Sequence, residues 1–149
     1  MPKDQETTHD DNLLVNSNHL TEESLESLMG FRLKPRFNET INLLLIKKVI
    51  HDVHYETLQG KTWDDLDPKI ACNEISVAIN EGVKAVYQSI REDGRYKYMV
   101  QTFISKFHSQ SLNLQTRCIW DPNTDRIVFD NFVNSYIICS SQVVFIYYY

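Results

Sequence analysis

The sequence has little of what most catalytic sites are built from. Its four glycines stand far apart, at positions 30, 60, 82 and 94, and it contains no phosphate-loop motif. Its three cysteines are widely spaced and form no CxxC pair, so we expect reduced thiols rather than a disulfide framework or a zinc site. No apolar run reaches the length of a membrane span. These absences predict a protein with no cofactor, no metal and no membrane insertion.

Basic charge is also scarce. The formal net charge is −5, and residues 1–30 carry one lysine against seven acidic residues, which leaves the rest of the chain near neutral. Nucleic-acid binding needs a concentrated basic surface, so we expect no nucleic-acid partner. The N-terminus resembles neither a secretory signal nor a transit peptide, and the expected location is therefore the cytoplasm.

The chain divides by composition into a polar segment and a domain. Residues 1–36 are acidic and polar, which predicts a disordered or extended segment, with one short helix from Thr21 to about Met29. Residues 37–149 carry the periodic apolar pattern of a folded domain.

Two helices are predicted at the start of this domain. The first runs from Leu43 to Gln59, with Asn42 as its cap and Gly60 as its stop. The second begins at Asp67 and Pro68, a capping carboxylate followed by proline at the first helical position, and runs to about Ile90. The expected inward residues are Ile46, Val49, Ile50 and Val53 in the first helix, and Ala71, Ile75, Ala78, Gly82 and Val86 in the second. Gly82 costs up to about 1 kcal/mol in a helix, so we expect a packing reason for it.

The periodicity then changes to that of strands. Alternation predicts strands at Tyr96–Phe107, Leu112–Trp120, Arg126–Asn131 and Tyr136–Tyr147. The last is apolar on both faces near its end, as a central strand would be. Two helices followed by four strands predict an α+β fold in which the helices cover one face of a four-stranded antiparallel sheet.

The strand Leu112–Trp120 is the most informative stretch. It ends in a turn built from Asp121, Pro122, Asn123 and Asp125, and Arg117 is its only charge. An edge strand with one charge and no proline is poorly protected against pairing with another chain. Such edges bind extended peptides by strand addition or exchange between protomers.

Three stretches of the sequence resemble the Tctex-type dynein light chain family: KYMVQTFISKF, TRCIWDPNTD and SYIICSSQVVFIYY. The most specific match consists of Arg117, Cys118, Trp120, Asp121 and Pro122. The polar extension resembles that of the longer, Tctex1-domain-containing members. The turn His108–Ser111 departs from the family pattern because it lacks glycine.

The resemblance implies a non-catalytic homodimer that exchanges a strand. It implies binding of two extended segments of dynein intermediate chain or of cargo, contact with other light chains, and a place on the cytoskeleton, including a cilium or flagellum. The residues it assigns to strand exchange and partner binding are Ser111, Leu112, Asn113, Leu114, Gln115, Thr116, Arg117, Cys118 and Trp120.

The sequence also contains candidate residues for other chemistry. His51 and His54 have a possible metal spacing but lack further ligands, so we expect two surface histidines. Cys118 shares its face with Leu114 and Trp120 and is expected to be a small buried residue. Two alternatives stay open: a dynein-independent adaptor on the same fold, and a small enzyme that uses Cys118 with a histidine.

Overall fold

The computed structural model describes residues 34–35, 40–88, 95–118 and 120–148. In chain order its elements are helix α1 (Leu43–Leu58), a 3₁₀ turn (Trp63–Asp65), helix α2 (Pro68–Gln88), and strands β1 (Tyr96–Lys106), β2 (Arg126–Val133) and β3 (Ile137–Tyr147). The short helix expected at Thr21–Met29 lies outside the described residues.

Both helices begin at the predicted caps. The Asn42 side-chain oxygen accepts hydrogen bonds from the N–H groups of Leu44 and Leu45, at 3.1 and 3.3 Å. The Asp67 carboxylate does the same for the first free N–H groups of α2, at 2.9 and 3.1 Å. Gly60 follows α1 with φ +76°, a left-handed conformation that suits glycine. The helix starts and the stop of α1 are confirmed, and the expected end of α2 at Ile90 lies outside the described residues.

The strands form an antiparallel sheet in the order β1-β3-β2, so β3 is central as predicted. Its register pairs Tyr96 with Tyr147 on one side and Arg126 with Phe145 on the other. Helix α1 packs on β2 and α2 packs on β1. The α+β class and the helix-covered face are confirmed.

The fourth predicted strand is the main difference. The sheet has three strands among the described residues, and Leu112–Trp120 is not one of them. The alternating pattern predicted a half-buried strand, but a strand also needs a neighbour to complete its ladder, and this segment pairs with none of the three.

The core lies between the helices and the inner face of the sheet. Its fully buried side chains include Ile46, Ile50 and Leu58 of α1 and Phe145 of β3. The stripe predicted for α2 is partly wrong: its buried residues are Ala71, Ile75, Ile79 and Val83, and the small residues Ala78 and Gly82 are only half-buried. Gly82 faces α1 instead, and a Cβ there would lie 2.5 Å from Val49 Cγ1. The expected packing reason for Gly82 is confirmed.

Candidate functional site

The segment between β1 and the turn at Asp121 is exposed along its length. Every residue from Ser111 to Cys118 is exposed, including the apolar Leu112 and Leu114, and Trp120 is half-buried. Cys118 was expected to be buried, and for the single chain this is wrong, because the segment takes no place in the sheet. The eight predicted site residues from Ser111 to Cys118 therefore lie together on one accessible stretch.

This stretch borders a groove of about 810 Å³ on the outer face of the sheet. The walls are residues 111–116 and the outward side chains of all three strands: Gln101, Phe103, Ile127, Phe129, Asn131, Val133, Ile138, Ser140 and Gln142. None of these lining residues is charged. The groove offers apolar surface together with amide and hydroxyl groups, which suits an uncharged surface or an extended backbone more than a charged ligand.

A short chain of polar contacts joins the segment to the sheet. The Thr116 hydroxyl donates to Gln142 Oε1 at 2.8 Å, and Gln142 Nε2 donates to Gln101 Oε1 at 2.6 Å. Gln101 and Gln142 are paired residues of β1 and β3. The first contact joins the segment to β3, the second joins β3 to β1, and both are exposed.

Large apolar side chains on the outer face of the sheet are exposed to solvent. Met99, Phe129 and Val133 are between 55% and 59% exposed, and Phe103 is 39% exposed. Large apolar side chains exposed on one face of a small domain are typical of an interaction surface. Sequence reasoning found the segment but not this face, although the alternation of β1 and β2 contained the signal for it.

A separate polar cluster lies between helix α1 and the inner face of the sheet. His54 is fully buried, and its Nε2 lies 2.8 Å from the Ser141 hydroxyl, which in turn is 3.1 Å from Thr102 Oγ1. Burial lowers the pKa of His54 from 6.5 to about 4, so the ring is neutral at pH 7. The expectation of a surface histidine is wrong here, because His54 continues the row of Ile50 and Leu58 at helical spacing, whereas His51 is exposed as predicted.

This cluster does not form a nucleophilic site. Cys139 Sγ lies 3.7 Å from His54 Nε2, but the thiol is buried, and desolvation raises its pKa to about 12. A catalytic cysteine needs the opposite shift and access for a substrate. Among the described residues there is also no group of three or more acidic, histidine or cysteine side chains placed to hold a metal ion. None of the described helices is both long and apolar enough to cross a membrane.

This order of two helices and an antiparallel sheet, with an exposed segment at residues 111–118 before β2, agrees with a comparison against protein families. The Tctex-1 family model matches residues 40–146, which include both helices, β1, β2, the exposed segment and all but the last residue of β3. The chain belongs to the Tctex-1 family. Its polar N-terminal residues lie outside the match, and the boundary predicted at residues 36 and 37 remains a prediction.

Relatives of this Tctex-1 chain are dynein light chains. It is 23% identical over 119 residues to the dynein light chain Tctex-type protein 2B of Danio rerio, covering 80% of this chain and 76% of the relative. It is 26% identical over 117 residues to the Homo sapiens protein of the same name, covering 78% and 79%. It is 28% identical over 103 residues to the dynein light chain Tctex-type 5-A of Xenopus laevis, covering 69% of this chain and 55% of that longer relative.

Proposed function

We propose that this Tctex-1 chain is a non-catalytic dynein light chain that acts as a homodimer. In this proposal each protomer donates Ser111–Trp120 to the sheet of the other, and the dimer binds two extended segments of dynein intermediate chain by strand addition. Cargo proteins and other light chains are further partners. Its place is on cytoplasmic microtubules, including those of a cilium or flagellum.

The observation that carries the proposal is the unpaired segment. Residues 112–120 have the alternation of a strand, but among residues 40–88, 95–118 and 120–148 they have no ladder partner, and there β1 and β2 each pair with β3. Both outer edges of the sheet therefore present backbone donors and acceptors without a strand partner among the described residues. A second copy can supply a strand to an edge and receive one in return.

Bivalency gives the dimer a function that one chain lacks. Two parallel intermediate-chain segments bound to one dimer would make the second binding event intramolecular, which raises avidity by about a hundredfold or more. The dimer would then align two weakly binding segments without any catalytic chemistry.

The test is capture of the purified chain by an immobilised dynein intermediate-chain peptide. The informative variant combines Leu114→Pro with Thr116→Pro, which removes two backbone donors from the segment. Its matched control combines Leu114→Ala with Thr116→Ala, which removes the same side chains and keeps both donors. We expect the proline variant to bind at least about tenfold more weakly than the alanine control.

Two outcomes would contradict the proposal in different ways. Equal binding by the two variants would show that the backbone of the segment is not used. Absence of peptide binding by a wild-type dimer would remove the dynein assignment and leave an adaptor of another kind on the same fold.

A further inference from the structure

The turn that joins the exposed segment to β2 is held by one buried carboxylate. Asp125 is 7% exposed. Its Oδ1 accepts the backbone N–H of Tyr147 at 2.8 Å and the Thr124 hydroxyl at 3.2 Å, and its Oδ2 accepts the backbone N–H of Asp121 at 3.2 Å. The Asp125 side chain therefore connects Asp121, which follows Trp120, to Tyr147 at the end of the central strand β3.

Two neighbouring side chains hold the same turn from the other strands. The Tyr96 hydroxyl, at the start of β1, donates to the Thr124 carbonyl at 3.0 Å in a buried position. The Arg126 guanidinium, at the start of β2, donates to the carbonyls of Pro122, Asn123 and Asp125 at 2.8 to 2.9 Å. The turn is thus fixed to all three strands.

The other end of the segment is held differently. Ser109 has a left-handed φ of 60°, and the Gln110 side chain donates to the Lys106 carbonyl at 2.6 Å and accepts the His108 N–H. These contacts are local and exposed, so water can replace them at little cost. The fixed end of the segment is the one at Asp125.

From this asymmetry we propose that Asp125 is a positioning residue for partner pairing: it fixes the point and direction at which Ser111–Trp120 leaves the domain. The inference rests on the proposed function, because it concerns the segment that the second copy receives. A strand pairs with a partner edge only in one register. If the turn at Asp121–Asp125 were mobile, the segment would adopt many positions, and most of them would be out of register with that edge.

The test compares the same substitution at two carboxylates of one turn. Asp125→Asn keeps the size of the side chain but turns an N–H₂ group towards backbone and hydroxyl donors. Asp121→Asn is the matched control, because the Asp121 carboxylate accepts local hydrogen bonds from the backbone and side-chain N–H groups of Asn123, at 2.9 and 3.1 Å. Sedimentation equilibrium gives the dimer Kd for each variant, and circular dichroism and thermal melting report the fold.

We expect Asp125→Asn to stay folded and to raise the dimer Kd by about tenfold or more, with Asp121→Asn within about threefold of wild type. The Tyr147 amide should also exchange hydrogen faster in Asp125→Asn, as followed by NMR. A folded Asp125→Asn protein that dimerises like wild type would overturn the proposal.

A second variant decides the case in which Asp125→Asn does not fold. Tyr96→Phe removes one hydrogen bond to the same turn and leaves the ring in place. We expect a weaker dimer, by a smaller factor than for Asp125→Asn, and an unchanged dimer Kd would overturn the proposal.

Failure of the proposed strand exchange has a separate signature, because wild type would then be monomeric. Trypsin cleavage after the exposed Arg117 still reports how firmly the segment is held in a monomer. We expect faster cleavage in Asp125→Asn than in Asp121→Asn, and equal rates would overturn the positioning role.

Discussion

The two faces of the sheet come from the same strands but differ in what covers them. On the inner face Phe145, Val143 and Ile137 are fully buried under the helices. On the outer face Phe129 and Val133 are more than half exposed. Both faces carry large apolar side chains, so apolar character alone does not separate them. What separates them is that the described helices cover only the inner face, whereas an exposed face with large apolar side chains is typical of an interaction surface.

The largest effect is expected on the inner face. Phe145→Ala removes a fully buried ring and leaves a cavity against the helices. We expect the free energy of unfolding to fall by about 3–5 kcal/mol, measured by urea denaturation.

The matched change on the outer face is Phe129→Ala. Its ring is 59% exposed, so stability of the single chain should change by less than about 1 kcal/mol. Self-association should weaken instead, as measured by sedimentation. Similar losses of stability for the two variants at low protein concentration would remove the distinction between the faces.

The pH dependence of stability tests whether His54 on the inner face is shielded from water. The pKa of His54 is about 4 in the fold because burial disfavours its charged form, and the nearby Asp130 only partly offsets this. In the unfolded chain the His54 ring takes up a proton below about pH 6.5, whereas in the fold it does so only near pH 4. The contribution of His54 to the free energy of unfolding is therefore fully present above about pH 6.5 and is lost as the pH falls towards 4. We expect a loss of up to roughly 3 kcal/mol from this group.

The control for this effect is His54→Gln, which keeps a polar group near Ser141 but cannot titrate. Urea unfolding of both proteins between pH 7 and pH 4.5 should give a steeper decline for wild type. Parallel declines would show that His54 is not the cause.

A smaller effect than those of Phe145 and His54 is expected in the helix layer that covers the inner face. Gly82→Ala places a Cβ 2.5 Å from Val49 Cγ1 and should cost about 1–2 kcal/mol despite the better helix propensity of alanine. Combining it with Val49→Ala makes room, so the cost of Gly82→Ala should shrink in that background. A stabilised Gly82→Ala single variant would contradict the close contact.

Local signals predicted the parts of this fold that depend on local chemistry. Asn42, Asp67 and Gly60 mark helix ends because their side chains or φ angles act within a few residues. The central place of β3 followed from its apolar character on both faces. Gly82 also indicated close packing before any contact was known.

The missed features depend on contacts between distant residues. His54 is buried because Ser141, 87 positions later, supplies its partner. Leu112–Trp120 has a strand pattern that none of the three described strands completes. Periodicity shows that a residue belongs on an apolar face, but it does not show which chain covers that face.

The most direct test of this account is sedimentation velocity of the wild-type chain at micromolar concentration, beside the variant with prolines at positions 114 and 116. We predict a dimer for wild type and a folded monomer for the variant. A wild-type protein that sediments as a monomer at micromolar concentration would contradict the central claim that a second copy covers the outer face and receives Ser111–Trp120.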